Sequence, residues 1–292
     1  MDGRTLRAIR RRILDWYAIH QRDLPWRKTH DSYHILVSEV MLQQTQVGRV
    51  IEKYHEFLTR FPTIDVLARA RASSVIKTWK GLGYNRRALF LQKTARAVVR
   101  EHGGNFPRTL EELKKLPGVG DYTARAILSF AFEQSVPMMD TNHRRFYQRV
   151  FFGLAQKNDS ELLVEAEYIF PKKYVYDWNQ ALMDFGPLVC LTRKPRCVDC
   201  PVRKYCVASP SIMEQETQNI EQKKHKKKIP FHDTDRYVRG RIIDYLREQS
   251  VGNTVQIQTL FPKVGDERFE KILQGLVRDG LVKQEGYLVR LP

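Results

Sequence analysis

The chain has 292 residues with 50 Lys and Arg against 33 Asp and Glu, a formal net charge of +17, and is long enough for one large or two modest domains whose cores need no disulfide staples. No run approaches the roughly 18 apolar residues of a membrane-spanning helix, and the N-terminal stretch lacks a signal peptide's apolar core, so a soluble, intracellular protein is expected, cytoplasmic and, if its partner is DNA, nucleoid-associated. The cationic surplus favours a polyanionic partner because each neutralised phosphate releases condensed counterions, and nucleic acid is the first expectation, with a merely basic soluble protein or an acidic membrane surface the alternatives that charge alone leaves open.

Apolar residues at three- and four-residue spacing in RAIRRRILDWY, VIEKYHEFLTRF and RALFLQKTARAVV predict that residues 1 to about 208 are predominantly helical, with strand alternation nearly absent. Thr109 and Glu112 read as a capping box that opens a short helix. The segment Leu116-Pro-Gly-Val-Gly-Asp-Tyr-Thr-Ala124 then separates that helix from the apolar AILSFAF. Two glycines one residue apart at a helix junction let backbone N–H groups approach an anion at the positive end of the second helix. An ordinary helix-helix turn is the plainer reading of a lone Gly-x-Gly; with both helices in place the pattern predicts a helix-hairpin-helix phosphate clamp. Further on, Asp140 in Pro137-Met-Met-Asp-Thr-Asn-His143 stands where a helix begins and reads as an N-cap.

All four cysteines fall within 17 residues, as Cys190-x6-Cys197-x2-Cys200-x5-Cys206, with Arg193, Lys194, Arg196, Arg203 and Lys204 interleaved. Clustering of this kind in a reducing compartment reads as one metal site. Tetrahedral zinc and a cubane iron-sulfur cluster both take four thiolates, but zinc ribbons present two close pairs, and a single Cys-x2-Cys with two outer ligands suits the cluster better.

Residues 209–230, ending in the Lys223 to Lys228 run, read as a polar, basic linker. From Phe231 a small second module is predicted: helices through DRYVRGRIIDYLREQ, VQIQTLFPK and DERFEKILQGLVRDG, then a hairpin around Glu285-Gly286. That order is winged-helix-like, a module that binds DNA in some proteins and only proteins in others.

The hairpin and the cysteine quartet resemble the endonuclease III and MutY superfamily of helix-hairpin-helix DNA glycosylases over residues 15 to 208. Within it, Ser38-Glu-Val-Met-Leu-Gln-Gln-Thr-Gln-Val47 resembles the MutY-type adenine glycosylases, whose thymine-specific relatives differ at the double glutamine. The resemblance implies an all-α helix-hairpin-helix glycosylase domain over 1–208, divided into a six-helix barrel at about 29–136 and a subdomain joining the N-terminal helix to 137–208. Its cofactor would be a 4Fe-4S cluster on Cys190, Cys197, Cys200 and Cys206. Its partner would be double-stranded DNA containing a mispair, bound by a monomer, with the target nucleotide flipped into a cleft.

Hydrolytic release of adenine needs an acid to protonate the departing base and an anion to face an oxocarbenium-like sugar. The apolar surroundings of Glu39 would keep it protonated, making it the acid, although its plain reading is a solvated helical face shared with Gln43 and Gln46. Asp140, held by helix N-terminal amides, would stay ionised, and Asn142 would support it. Tyr122 joins these catalytic positions: lyase relatives carry a Schiff-base lysine where it stands, so a monofunctional enzyme is expected. The resemblance implies an adenine pocket of Arg22, Trp26, Arg27, Leu42, Val47, Tyr122, Gln180 and Met183, each of which singly reads as core or surface. It also implies DNA contacts from Gln43, Gln44, Tyr84, Gly118, Val119, Gly120 and Thr123, with Gln44 as the wedge that fills the vacated space.

Two departures bear on the opposite base. Where MutY-type chains read Gly-Leu-Gly-Tyr-Tyr, this one has Gly81-Leu-Gly-Tyr-Asn85, and the usual C-terminal Nudix-like domain that recognises 8-oxoguanine is replaced by the winged-helix-like module. The leading expectation is excision of adenine opposite 8-oxoguanine or guanine. The alternatives are a thymine or uracil glycosylase acting opposite guanine, and a noncatalytic iron-sulfur DNA-binding regulator.

Overall fold

The structure, a computed structural model, describes residues 1–217 and 229–292; the run Lys223 to Lys228 lies outside the described residues. The chain is mostly helical. In order, α1 (Gly3–His20), α2 (Ser32–Leu42), α3 (Val47–Arg60), α4 (Ile64–Arg69), α5 (Ala72–Thr78) and α6 (Arg86–His102) are followed by α7 (Leu110–Lys115), α8 (Asp121–Phe130), α9 (Thr141–Tyr147), α10 (Asp159–Ile169), α11 (Val175–Leu188) and α12 (Ser209–Thr217). The remainder runs α13 (Asp235–Gln249), β1 (Val251–Asn253), α14 (Thr254–Thr259), α15 (Asp266–Arg278), β2 (Lys283–Glu285) and β3 (Leu288–Arg290). No helix of the described residues is long and apolar enough to cross a membrane.

By contact density the chain divides into two compact units. One comprises Met1–Ile35, Arg108–Leu110 and residues 120–217; the other comprises Leu36–Pro107, Glu111–Val119 and residues 229–292.

The first unit is organised by α1, which buries Leu6, Ile9, Ile13 and Tyr17 on one face, the three- and four-residue spacing its sequence announced. These side chains share a core with Phe146 and Tyr147 of α9, Leu162 and Ile169 of α10, and Trp178, Leu182 and Phe185 of α11. Asp2 caps α1 by accepting from the Thr5 N–H at 2.8 Å. The stretch from residue 209 begins with α12, a helix that composition did not announce; Ser209 and Ile212 are buried, and this apolar anchorage holds a turn that a solvated linker would lack.

In the second unit α3 buries Val50, Tyr54 and Phe57, α4 packs on α6, and Trp79 is wholly buried. Residues 229–292 belong to this unit. Their helices and hairpin form where the sequence pattern puts them, but the strand β1 was not foreseen. It pairs antiparallel with β3, giving the sheet order β1-β3-β2. Val238, Ile242, Leu246, Phe269, Leu273 and Val289 form a core that also takes in Ile76 and Leu89 from α5 and α6. Arg247 fixes that junction, donating to the Ile76 carbonyl at 2.9 Å and to Asn85 Oδ1 at 2.7 Å.

Candidate active site

Asp140 is the N-cap of α9 and collects four donors. Its Oδ1 accepts from the backbone N–H of Asn142 at 2.9 Å and of His143 at 2.8 Å, and from His143 Nδ1 at 2.6 Å. Oδ2 accepts from Asn142 Nδ2 at 2.7 Å. Burial alone would raise this carboxyl's pKa. The electrostatic pull of His143, then its hydrogen bonds and that of Asn142, outweigh burial and hold the pKa below the ordinary carboxylate value. The side chain is still 19% exposed, so a carboxylate fixed in its ionised state keeps an open face.

Asn142 is held in turn. Arg145 Nη2 donates to its Oδ1 at 2.9 Å, and Gly186 of α11 lies so close that a Cβ there would stand 2.3 Å from Asn142 Oδ1. Only glycine admits this approach. His143 is wholly buried, and among the described residues its Nε2 has no hydrogen-bond partner.

Arg22 and Arg27, expected with Gln180 in a base pocket, converge on a side chain that the sequence reading missed. Asp184, fully buried, takes Arg27 in a bidentate pair, Nη1 to Oδ2 at 2.7 Å and Nη2 to Oδ1 at 2.9 Å, and Arg22 Nε at 2.6 Å. Arg27 Nε donates to Gln180 Oε1 at 2.7 Å. Burial works against the Asp184 charge, but the Arg27 hydrogen bonds and charge, joined by Arg22, hold its pKa below the usual range. These bonds engage Nε and both terminal nitrogens of Arg27, so its guanidinium is held in place by Asp184 and Gln180. The local signal was an acid one helical turn beyond Gln180, set in the apolar run Ala181 to Phe185. Trp26 is buried and Met183 half-buried.

In the other unit Glu39 is buried in α2 at 4% exposure, between Ser38 and Val40, so the solvated-face reading does not hold. Nor does the stripe of Glu39, Gln43 and Gln46 run along one helix. α2 ends at Leu42, and Gln44 turns into the left-handed region with φ 56°. The cause is Arg87 of α6, which caps the helix end. Its Nη1 donates to the carbonyls of Val40 at 2.7 Å and Met41 at 3.0 Å, and also to that of Gln43. Nη2 donates to Thr45 Oγ1 at 3.0 Å and to the Leu82 carbonyl at 3.0 Å. Arg87 thereby ties the turn bearing Gln43 and Gln44 to the loop bearing Tyr84. Burial pushes its pKa down to about 10, which leaves it charged at neutral pH. Gln44 and Tyr84 are exposed; Leu42 and Val47, at either end of the turn, are half-buried.

At the hairpin, Leu116 and Val119 are buried while Gly118 and Gly120 are exposed. Gly118 has φ 82°, and a Cβ on it would stand 2.8 Å from Phe90 Cβ, so glycine is required by conformation and by space. Thr123 is also buried. Val119 and Thr123, expected at DNA, therefore turn their side chains inward; only their backbone remains for an anion. Tyr122 is half-buried at the start of α8.

None of the four cysteines is in a disulfide, and all four line one cavity in the first unit with Phe146, Val150, Phe185 and Val202. Arg149 Nη1 lies 3.3 Å from Cys190 Sγ, and Arg145 bonds the Cys190 carbonyl. Burial, then the neighbouring cysteines, pushes the Cys200 thiol up to about 12 and the Cys206 thiol up to about 11. Among the described residues no three His, Cys, Asp or Glu side chains converge as on a single metal ion.

Residues 37–172 match the family described as HhH-GPD superfamily base excision DNA repair protein. An adenine DNA glycosylase of Mycolicibacterium smegmatis is 37% identical over 276 residues, covering 93% of this chain and 92% of that protein. The adenine DNA glycosylase of Rattus norvegicus is 43% identical over 220 residues; the match takes in 71% of this chain and 43% of the rat protein's length. A solved thermostable thymine-DNA glycosylase matches with a TM-score of 0.68 at 33% identity, covering 72% of this chain and 98% of that one. A non-covalent endonuclease III–DNA complex has a TM-score of 0.65 at 21% identity over 73% of this chain and 99% of that one, a likeness of fold alone.

Proposed function

This chain belongs to the HhH-GPD superfamily of base excision DNA repair proteins, and from that premise we propose that it removes adenine mispaired with 8-oxoguanine or guanine by hydrolysing the N-glycosidic bond. The observation that carries the chemistry is Asp140. A carboxylate held ionised by four donors while keeping an open face is the group required beside a sugar that becomes cationic as its base departs. Glu39 supplies the proton that lets adenine leave as a neutral base and then helps activate the attacking water; its buried setting suits a carboxyl that works in the protonated form. Asn142 holds Asp140 in place.

Tyr122 stands where lyase relatives carry the nucleophilic lysine, so the enzyme leaves an abasic site and does not cut the strand. Substrate is duplex DNA, with Gly118 and Gly120 admitting a phosphate at the hairpin backbone and Gln44 on an exposed turn. The four thiols fit a 4Fe-4S cluster: thiolate is its donor, the cavity wall joins apolar side chains to Arg149, Arg196 and Arg203, whose charge suits an anionic thiolate-ligated group, and iron would supply the positive charge that the raised thiol pKa values call for. When bound, the cluster cross-links the loop 190–206 and contributes to folding. The exposed Arg193, Lys194, Arg196, Arg203 and Lys204 on that loop would then be ordered toward DNA phosphates.

Single-turnover release of adenine from A opposite 8-oxoguanine, A opposite G and A opposite T is the test; no release from any of the three rejects the proposal. The thymine-DNA glycosylase likeness motivates a fourth arm, T opposite G, where release of thymine without adenine would reverse the base assignment.

A further inference from the structure

Within the second unit lies a groove whose walls are the turn Gln43 to Gln46, the loop Gly81 to Asn85, and α13 of the terminal module. Its lining is unbalanced in charge: seven arginines face two acids, Asp244 and Asp279, a surplus of five. Those acids are already engaged, Asp279 by Arg239 at 2.5 Å and Arg86 at 3.6 Å, and Asp244 by Arg247 at 2.6 Å. Arg49, Arg236 and Arg241 are exposed and among the described residues make no ion pair.

Arg236 is also positioned. Its guanidinium sits 3.8 Å from the centroid of the Tyr84 ring, and its Nη1 donates to the Tyr84 hydroxyl at 2.5 Å. A stacked, hydrogen-bonded guanidinium loses little further entropy on meeting an anion. Like charges gathered in a concave wall repel one another and focus a positive potential outward, an arrangement that costs stability unless a polyanion fills it.

The terminal module's α15 carries no such surplus. α15 is the third helix, the position from which helix-turn-helix relatives enter a groove. Here its exposed charges balance, Asp266, Glu267 and Glu270 against Arg268, Lys271 and Arg278, and Arg268 and Lys271 are already paired with Asp235 and Glu267, so the helix has no cationic surplus to offer phosphates.

We propose that this groove binds the phosphodiester backbone of duplex DNA, and that α13, not α15, is the DNA-facing element of the terminal module. The inference rests on the reading of the chain as a DNA glycosylase, and it gives the module a role in holding the duplex where the glutamine turn and the Tyr84 loop meet it. Two phosphate contacts are assigned, one to Arg236 and one to Arg241.

The test is the salt dependence of duplex affinity for the full chain, on a duplex with no excisable mispair. Each phosphate contact contributes about one unit to the slope of log affinity against log salt. Arg236→Ala with Arg241→Ala should lower the slope's magnitude by about two and weaken binding about tenfold or more near physiological salt. Arg241→Ala alone, at an exposed side chain, should lower it by about one, and Arg236→Lys should keep it. Lys271→Ala on α15 should leave it unchanged. A wild-type slope in the double variant, with thermal unfolding showing it folded, overturns the proposal, as does an equal fall in Lys271→Ala. Because no excision is measured, loss of the groove and loss of the adenine reading are separately visible.

Discussion

His143 Nδ1 lies 2.6 Å from Asp140 Oδ1, three residues apart in the chain and joined at the first turn of α9. The imidazole is wholly buried while the carboxylate side chain keeps 19% of its surface exposed, an arrangement that suits a positioning residue. The folded pKa of Asp140 lies below the ordinary value. The stability it contributes is therefore present above that value and is lost as pH falls through the folded pKa.

His143→Leu should move the acid limb of the single-turnover pH profile upward. A hydrogen bond to a charged group contributes about 1.5–3 kcal/mol, so the limb should rise by roughly one to two pH units at about 1.4 kcal/mol each. An unmoved limb with a uniformly lower rate would leave His143 a packing role only. Asp140→Asn should abolish turnover across the range while retaining duplex binding.

Gly186→Ala should act on the reaction through Asn142. The added methyl meets Asn142 Oδ1 and Cβ and must push that side chain off Asp140. A displacement near 1 Å at a catalytic group costs up to about a hundredfold in rate, so the single-turnover rate should fall by about tenfold to a hundredfold with duplex affinity little changed. Making the same change in an Asn142→Ala background should cost much less; an undiminished effect there would point to disruption of α11 instead.

Asp184→Asn leaves two guanidinium groups without their shared carboxylate, one of them on the nearly buried Arg27. Breaking a buried pair from one side typically costs about 3–5 kcal/mol, to be read as a fall in the urea midpoint. Since the Asp184 pKa is also lowered, wild-type stability should fall as the solution is acidified through and below the carboxylate range, and the variant should have lost that component.

Cys200→Ser removes one of four thiols from the cysteine cavity. Protein purified without oxygen should carry iron and sulfide in equal amounts, four of each per chain for a 4Fe-4S cluster, and the variant should lose most of both. Zinc in place of iron in the wild-type protein would reverse the cluster assignment.

What the sequence disclosed was local. The spacing of Leu6, Ile9, Ile13 and Tyr17 fixed the face of α1, and Asp140 was recognisable as a cap because its partners are two and three residues away. Arg22 and Asp184 are 162 residues apart, and Arg87 and Val40 are 47 apart; nothing in their neighbourhoods announces such pairings. The polar stripe from Glu39 to Gln46 failed for the same reason, since the helix that would have carried it is ended by a guanidinium from α6. The inward turn of Val119 and Thr123 depends on what packs beneath the hairpin, which periodicity alone does not specify.

The bonds of Arg87 to both the Gln43 turn and the Leu82 loop have an evolutionary consequence. Two segments that hang from one joint cannot drift independently: a substitution that shifts one carbonyl changes what the other segment will tolerate. Exchanges at positions 43–45 and 81–85 should therefore show epistasis, with combinations from different relatives failing where each parental set succeeds, and with Asn85 readable only together with the turn it accompanies.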